Sequence, residues 1–438
     1  MSGAGRVLAA AVAVLLGGCS LFVDLDPGVR DHGDADDGGP GNGDGGQNDG
    51  DAGPCGAISR LEDSFPSGPL SSHWIARTQG DEAEPPSVDG SGRLALGFTT
   101  EPATDDEFSE VESRFAYDLR GHAVTVWADV VDDRSWSTLE VREAGAFDSS
   151  RKIVALGRKG TVFAAFVRAP DQNVLHQEVW SASLYRYWRI RDLAGALEFQ
   201  VAGADQVFST FTTLELPGID LAHVMVGLAV NADVTPSTVG LTRFDDLGSG
   251  DPPEPACPVE TLHDDFSSGE LDPLWIDDSD GCTVTASDGL AIDAADGATC
   301  AVDSSHAYSM GPGGELVVEI TALPAANTSR FELRLAHDDD NYLAVQQQDG
   351  QLAIVLVERG GAGEPMTGAN AVSAQWWRVR EQGGRLEVAT SPDGASFSPR
   401  GTITPGTLDL AELRVSFQLR VSNPDSAGVG RVNITPRP

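Results

Sequence analysis

Glu110-Val111-Glu112 is where this chain comes nearest to a catalytic pair. Side chains at i and i+2 of a strand share a face, so both carboxylates would point the same way. Paired carboxyls about 5 Å apart are what glycosidic-bond chemistry uses. No third acid follows in phase, so the expectation is a solvated strand edge. The counterpart later in the chain, around Val302-Asp303-Ser304, offers nothing comparable. Other chemistries fare no better. The eight histidines (32, 73, 122, 175, 223, 263, 306 and 337) are scattered singly and HExxH is absent. No G-x-S-x-G elbow accompanies a strand-to-helix switch, no GKS or GKT phosphate loop occurs, and no CxxC or Cys/His cluster suits zinc. From these residues the chain is expected not to be an enzyme.

The elements that must position any site are strands, and they come twice. Asp63-Ser64-Phe65-Pro66-Ser67-Gly68-Pro69-Leu70 and the Trp74-Ile75 that follows return as Asp264-Asp265-Phe266-Ser267-Ser268-Gly269-Glu270-Leu271 and Trp275-Ile276. Leu94-Ala95-Leu96 returns as Leu290-Ala291-Ile292, and Trp188-Arg189-Ile190-Arg191 as Trp377-Arg378-Val379-Arg380. Cys55 and Cys257 each stand just before their copy. This is duplication of a whole domain and not a short-period solenoid. Stretches such as Val124–Val131 (VTVWADVV) and Arg330–Leu335 (RFELRL) alternate with period two, with Gly, Pro, Asn and Asp between them. The expected fold is all-β: two tandem antiparallel jelly-roll sandwiches over 55–249 and 257–438, joined by a Pro-rich linker at 250–256. Alternation turns Trp188, Ile190, Trp377 and Val379 inward. It turns Tyr187 and Arg189, with their counterparts Trp376 and Arg378, outward. An exposed aromatic beside an arginine can stack on a pyranose and hold its hydroxyls, so these four are the candidate ligand-binding residues. Trp127, Trp136 and Trp180 of the first copy have no tryptophan equivalents in the second.

The second copy opens D-D-F-x-x-G-x-L-D-P-x-W and continues with a G-L-x-I strand and Asp338-Asp339-Asp340-Asn341-Tyr342-Leu343. It then carries W-x-R-x-R and Ser391-Pro392-Asp393-Gly394 leading to Phe397. This pattern resembles the concanavalin A-like lectin/glucanase superfamily, and most of all its laminin-G-like modules. The first copy departs from it at Ala202-Gly203-Ala204-Asp205. Laminin-G-like modules often hold one Ca²⁺, which implies Asp338, Asp339 and Asp340 as a candidate metal site. The superfamily's β-glucanases carry E-x-D-x-x-E on one strand, and no such string is present. The resemblance therefore implies a non-catalytic protein that binds carbohydrate or another envelope component. The alternatives are an assembly protein that binds a protein partner and, ranked last, a divergent glycosidase.

The N-terminus sets an expected location. Arg6 precedes an apolar run, Val7 to Leu16, too short to span a bilayer as a helix. Its end, Leu16-Gly17-Gly18-Cys19, resembles the lipobox of bacterial lipoproteins. Residues 1–18 are then a signal peptide, and Cys19 carries a lipid that anchors the chain to the membrane of a Gram-negative cell envelope, at the outer membrane or cell surface. Residues 19–54, rich in Asp and Gly and without Glu after position 19, read as a disordered tether and not a calcium loop. A net charge of −38 argues against nucleic acid as a partner. Cys55, Cys257, Cys282 and Cys300 remain for disulfides. Of the three connectivities, Cys282–Cys300 with Cys55–Cys257 is favoured, because the first two flank one strand-like stretch.

Overall fold

Each copy begins with a small hydrogen-bonded lock. Asp63 accepts from the Phe65 N–H at 2.6 Å and from the Trp74 indole at 2.8 Å. Asp264 repeats this with Phe266 at 2.7 Å and Trp275 at 2.8 Å. Phe65 and Phe266 sit at φ 45° and 51°, a conformation costly for an aromatic residue. Both phenylalanine rings are buried against the tryptophans.

The computed structural model describes residues 55–434, apart from 101, 103–106, 131–134, 146–150, 169–171, 216–217, 233–239, 251–254, 278 and 370–374. The expected leader, Cys19 and the tether lie outside the described residues. Residues 52–438 make one unit. Among the described residues there is no helix long and apolar enough to cross a membrane.

Among the described residues, fourteen strands precede Ser249. They are β1 (Trp74–Gln79), β2 (Ala83–Val88), β3 (Leu94–Phe98), β4 (Phe108–Ser113), β5 (Ala123–Asp129), β6 (Trp136–Glu143) and β7 (Ile153–Lys159). There follow β8 (Val162–Arg168), β9 (Gln172–Val179), β10 (Tyr187–Leu193), β11 (Ala196–Ala202), β12 (Ser209–Leu214), β13 (Val224–Asn231) and β14 (Gly240–Gly248). They form two antiparallel sheets of seven, ordered β1-β4-β13-β6-β7-β8-β9 and β12-β11-β10-β5-β14-β3-β2. Alternation puts Val111, Leu139, Val141, Leu156 and Val226 of the first sheet against Leu96, Val126, Trp188, Ile190 and Phe244 of the second. Trp188 is wholly buried, and its indole donates to the Tyr185 carbonyl at 2.9 Å.

From Cys257 on, the same antiparallel plan is drawn with one long strand. Leu290–Ser304 pairs with Asp425–Val432 through its first residues and with Arg414–Arg420 through its last, so both layers join in a single fourteen-stranded sheet. In the first copy the matching stretch is cut into β3 and β4. Cys282–Cys300 staples this long strand to its hairpin partner, and Cys55–Cys257 ties the starts of the two copies. The second core gathers around Trp377, Phe331, Phe417 and Val302. The architecture is that of jelly-roll β-sandwiches.

The copies also meet directly. The Ala116 N–H donates to the Ser305 carbonyl, and His306 Nδ1 donates to the Ala116 carbonyl, each at 2.7 Å. Glu412 reaches Arg60 at 2.5 Å and His73 at 2.8 Å.

Candidate functional site

The face of the first sheet that points away from the core is built from alternate residues of each strand. Register places Arg77 of β1 opposite Glu110 of β4, Glu112 opposite Gly227 of β13, and Gly227 opposite Glu140 of β6. Along β6 itself, Trp136, Thr138, Glu140 and Arg142 share this face. Gly227 has no side chain, and Arg142 fills the space above it: a Cβ there would lie 2.7 Å from the guanidinium Nε. The arginine is thereby delivered to the middle of three carboxylates.

Arg142 donates through Nη2 to Glu110 at 2.7 Å and through Nε to Glu140 at 2.8 Å, and its Nη1 stands 3.4 Å from Glu112. Glu112 is also held by Arg77 at 2.8 Å and Arg151 at 2.6 Å, and Glu140 accepts from Thr138 at 2.6 Å. The three glutamates are 3%, 0% and 2% exposed. They are a desolvated cluster in mid-sheet and not the solvated strand edge expected from Glu110-Val111-Glu112. The reason is positional: β4 lies between β1 and β13, and the third acid comes from β6, about thirty residues away, where no single-strand motif would show it. Burial alone would raise the Glu140 carboxyl, but Arg142 and Arg168 outweigh it and hold the group below the usual carboxylate range. Burial would likewise depress Arg142, but Glu140, Glu110 and Glu112 override it and raise the guanidinium well above its ordinary value. Arg151 is lowered, burial prevailing over Glu112.

Glu110 Oε2 and Glu140 Oε2 each lie 2.7 Å from the same Arg142 nitrogen, so they are separated by at most twice that distance. Trp136, half-buried on the same face and two positions beyond Thr138, meets Phe166 edge-on at 5.1 Å.

The second copy has a related row without the pair. Glu332 is held between Arg330 at 2.5 Å and Arg334 at 2.6 Å. Its cross-strand neighbours are Gln346 on one side and Gln418, then Ala301, on the other, so no second carboxylate faces it in the register. Asp303 pairs with Arg414 at 3.1 Å.

The other sequence-derived candidates are placed as follows. Tyr187 and Arg189 sit on the outer face of the second sheet and line a cavity of about 560 Å³. Their counterpart Trp376 departs from its expected outward exposure: it is only 4% exposed, so its ring offers no open stacking face. Arg378 lies 4.6 Å from the Phe397 ring centre and 3.0 Å from Glu387. The Asp338 carboxylate is turned into its own hairpin, accepting from Asp340 N–H and Asn341 Nδ2 at 2.8 and 2.9 Å. Asp339 faces Arg114 at 3.4 Å and Arg414 at 3.6 Å. No group of three or more His, Cys, Asp or Glu among the described residues is disposed to hold a metal. Trp127 lies under Arg93, and Trp180 under Arg158, packed against the core.

No known protein family matches the chain, and no curated protein matches it. Solved structures do. A β-1,3-glucanase from Mycobacterium marinum is 15% identical with a TM-score of 0.32, over 45% of this chain and 99% of that one. A xylan β-1,4-xylosidase from Bacillus halodurans C-125 is 11% identical with a TM-score of 0.33, over 81% and 76%. The lectin UEA-II complexed with galactose is 13% identical with a TM-score of 0.30, over 42% and 97%. The expectation of a non-catalytic protein that is not an enzyme is the one these comparisons run against, since two of these three similar structures are named as glycoside hydrolases.

Proposed function

We propose that this protein is a carbohydrate-active enzyme of the glycoside hydrolase or transglycosylase kind, with Glu110 and Glu140 as its working carboxylates. The observation that carries the reading is the convergence of Glu110, Glu112 and Glu140 on Arg142. Glu140 is the nucleophile, kept ionised by Arg142 and Thr138. Glu110, bridged to it through Arg142, is the partner carboxyl, and Trp136, on the same face, supplies a platform for a sugar ring. Lipidation at Cys19 would hold this enzyme at the cell envelope, within reach of polysaccharide.

The test is to incubate the purified protein with laminarin, β-1,4-xylan and their oligosaccharides, following new reducing ends and transfer products by mass spectrometry. Turnover should fall at least about 1000-fold in Glu140→Gln and in Glu110→Gln, as expected when a group acting in the transition state is removed. Wild-type protein inert on every one of these polysaccharides, or both variants as active as wild type, would overturn the proposal.

A further inference from the structure

The two copies carry the same device on the opposite face of the sandwich. Arg189 of β10 lies over the Phe208 ring with its guanidinium carbon 3.5 Å from the ring centre, and Arg378 lies over Phe397 at 4.6 Å. Both members of each couple are 189 residues apart between copies, the same spacing that relates Trp188 to Trp377. Arg189 and Phe208 both line a cavity, whereas in the second copy only Phe397 of the couple lines one. The first is about 560 Å³, within the ~300–1,000 Å³ of ligand pockets, and the second about 270 Å³, below it.

The larger cavity has a structural cause. The pairing of β14 with β5 slips between Asp245 and Gly248, a bulge that pushes Asp246 and Leu247 out of the ladder. Asp246, at φ 48°, forms one wall, and Gln206, at φ 56°, forms the other. Between them lie Thr125, Tyr187 and Arg189, with Glu62 at the rim. Arg189 Nε donates to Thr125 at 2.8 Å, so the guanidinium is fixed in place. The Tyr187 hydroxyl accepts from Gln206 at 2.9 Å and keeps its own hydrogen to donate. In the second copy Val317 stands where the first has Thr125, buried Trp376 stands at the place of Tyr187, and Arg378 is bound by Glu387 and Glu315.

We infer that the Tyr187–Arg189–Phe208 cavity of the first copy is a binding site for a neutral oligosaccharide, separate from the carboxylate face, and that the second copy has closed its version. Hydroxyl, amide and guanidinium donors set beside carboxylate acceptors and two aromatic rings match the alternating donors, acceptors and apolar faces of a sugar. Glu62, Asp63 and Asp246 outnumber Arg189, so the lining repels uronic acids and sugar phosphates. This inference deepens the proposed function, since a second site would hold polysaccharide near the enzyme, but its test is independent.

The test is calorimetric titration of the full chain, carrying Glu140→Gln to prevent turnover, with laminarihexaose, xylohexaose and a galacturonate hexamer. Saturable binding of a neutral hexamer, weakened at least tenfold by Phe208→Ala and by the exposed-loop change Gln206→Ala, is expected, with no binding of the galacturonate. Thr125→Val, which copies the second site, should weaken it as well. Absence of saturable binding by both neutral hexamers, or binding unchanged in both Phe208→Ala and Gln206→Ala, overturns the inference. Because none of these residues touches Glu110 or Glu140, absence of hexamer binding to the Glu140→Gln chain while the unmutated chain turns over polysaccharide refutes the cavity alone, and saturable binding beside an unmutated chain without turnover refutes the enzyme alone.

Discussion

Replacing Arg142 by Met should destabilise the first sandwich more than any surface change, and the size of the loss follows from the carboxylates it serves. The arginine side chain is 2% exposed and touches Glu110, Glu112 and Glu140. Removing one partner of a buried ionic cluster costs about 3–5 kcal/mol, because the remaining charge stays desolvated without compensation. At about 2–4 °C per kcal/mol for a unit of 150–250 residues, the midpoint should fall by roughly 10 °C. Methionine fills most of the volume, so the loss reports charge and not a cavity. The pH dependence sharpens the test. In the wild type Glu140 is held below its unfolded value, so its contribution is complete above that value and disappears as pH falls through the lowered one. In the variant the buried Glu140 carboxyl loses the guanidinium that held it down, the folded state takes up its proton before the unfolded chain does, and acid relieves the defect. The gap between the two proteins should therefore be widest near pH 8 and narrow steadily towards pH 5. Adding Glu140→Gln to the variant should recover part of the loss by removing one like charge. Urea unfolding followed by circular dichroism across that range is the assay. A loss below about 1 kcal/mol that does not vary with pH would refute the claim that the cluster is desolvated and held by Arg142.

Two further outcomes test the surrounding structure. Gly227→Ala places a methyl 2.7 Å from Arg142 Nε and should cost about 1–3 kcal/mol in thermal unfolding, a penalty that disappears in the Arg142→Met background where the clash is gone. His306, buried between the copies with its Nδ1 on the Ala116 carbonyl, is pushed down to about 4 by burial. Its folded value lies below its unfolded one, so this stability is complete above about pH 6.5 and lost as pH falls towards 4, on the order of 3 kcal/mol in all. His306→Asn should flatten that slope in chemical unfolding monitored between pH 4 and 7, and an unaltered slope would place the acid sensitivity elsewhere.

Much of the framework was legible because strands write themselves locally. Period-two alternation in VTVWADVV and RFELRL and the recurring Asp–Phe–Trp opening each depend on neighbours within a dozen residues, and the alternation correctly turned Trp188 and Trp377 inward. The carboxylate face was not legible, because its members come from β1, β4, β6 and β7 or the turn before it, brought together by a strand order that skips through β13. A local signal did exist. Glu140-Val141-Arg142 and Glu332-Leu333-Arg334 are both E-x-R within an alternating strand, placing an acid and a base side by side on the face opposite the core. Charges at i and i+2 on the face opposite the core, in matching strands of both copies, mark an outer face that is itself buried. Trp376 was misjudged for a related reason: alternation tells which side a residue takes, and it does not tell what covers that side.

The duplication explains why chemistry would collect in the first copy. A framework that folds twice needs its locks, its inward tryptophans and its E-x-R ladder in both places, and these are what the copies share. What they do not share is what a ligand would meet. Glycine at 227 opens room for Arg142 to gather acids from both sides, whereas Gln418 and Ala301 leave Glu332 with only its flanking arginines. A bulge at Asp245–Gly248 opens the first outer cavity, while Arg378 in the second is spent on Glu387 and Glu315. The second copy still binds the first through Glu412 on Arg60 and His73, His306 on Ala116, and the Cys55–Cys257 bond. Those contacts fall on the strand and turn that lead into β1 and follow β4, the elements that carry Arg77, Glu110 and Glu112. Its contribution is therefore to hold the edge of the first sheet on which the carboxylate face depends.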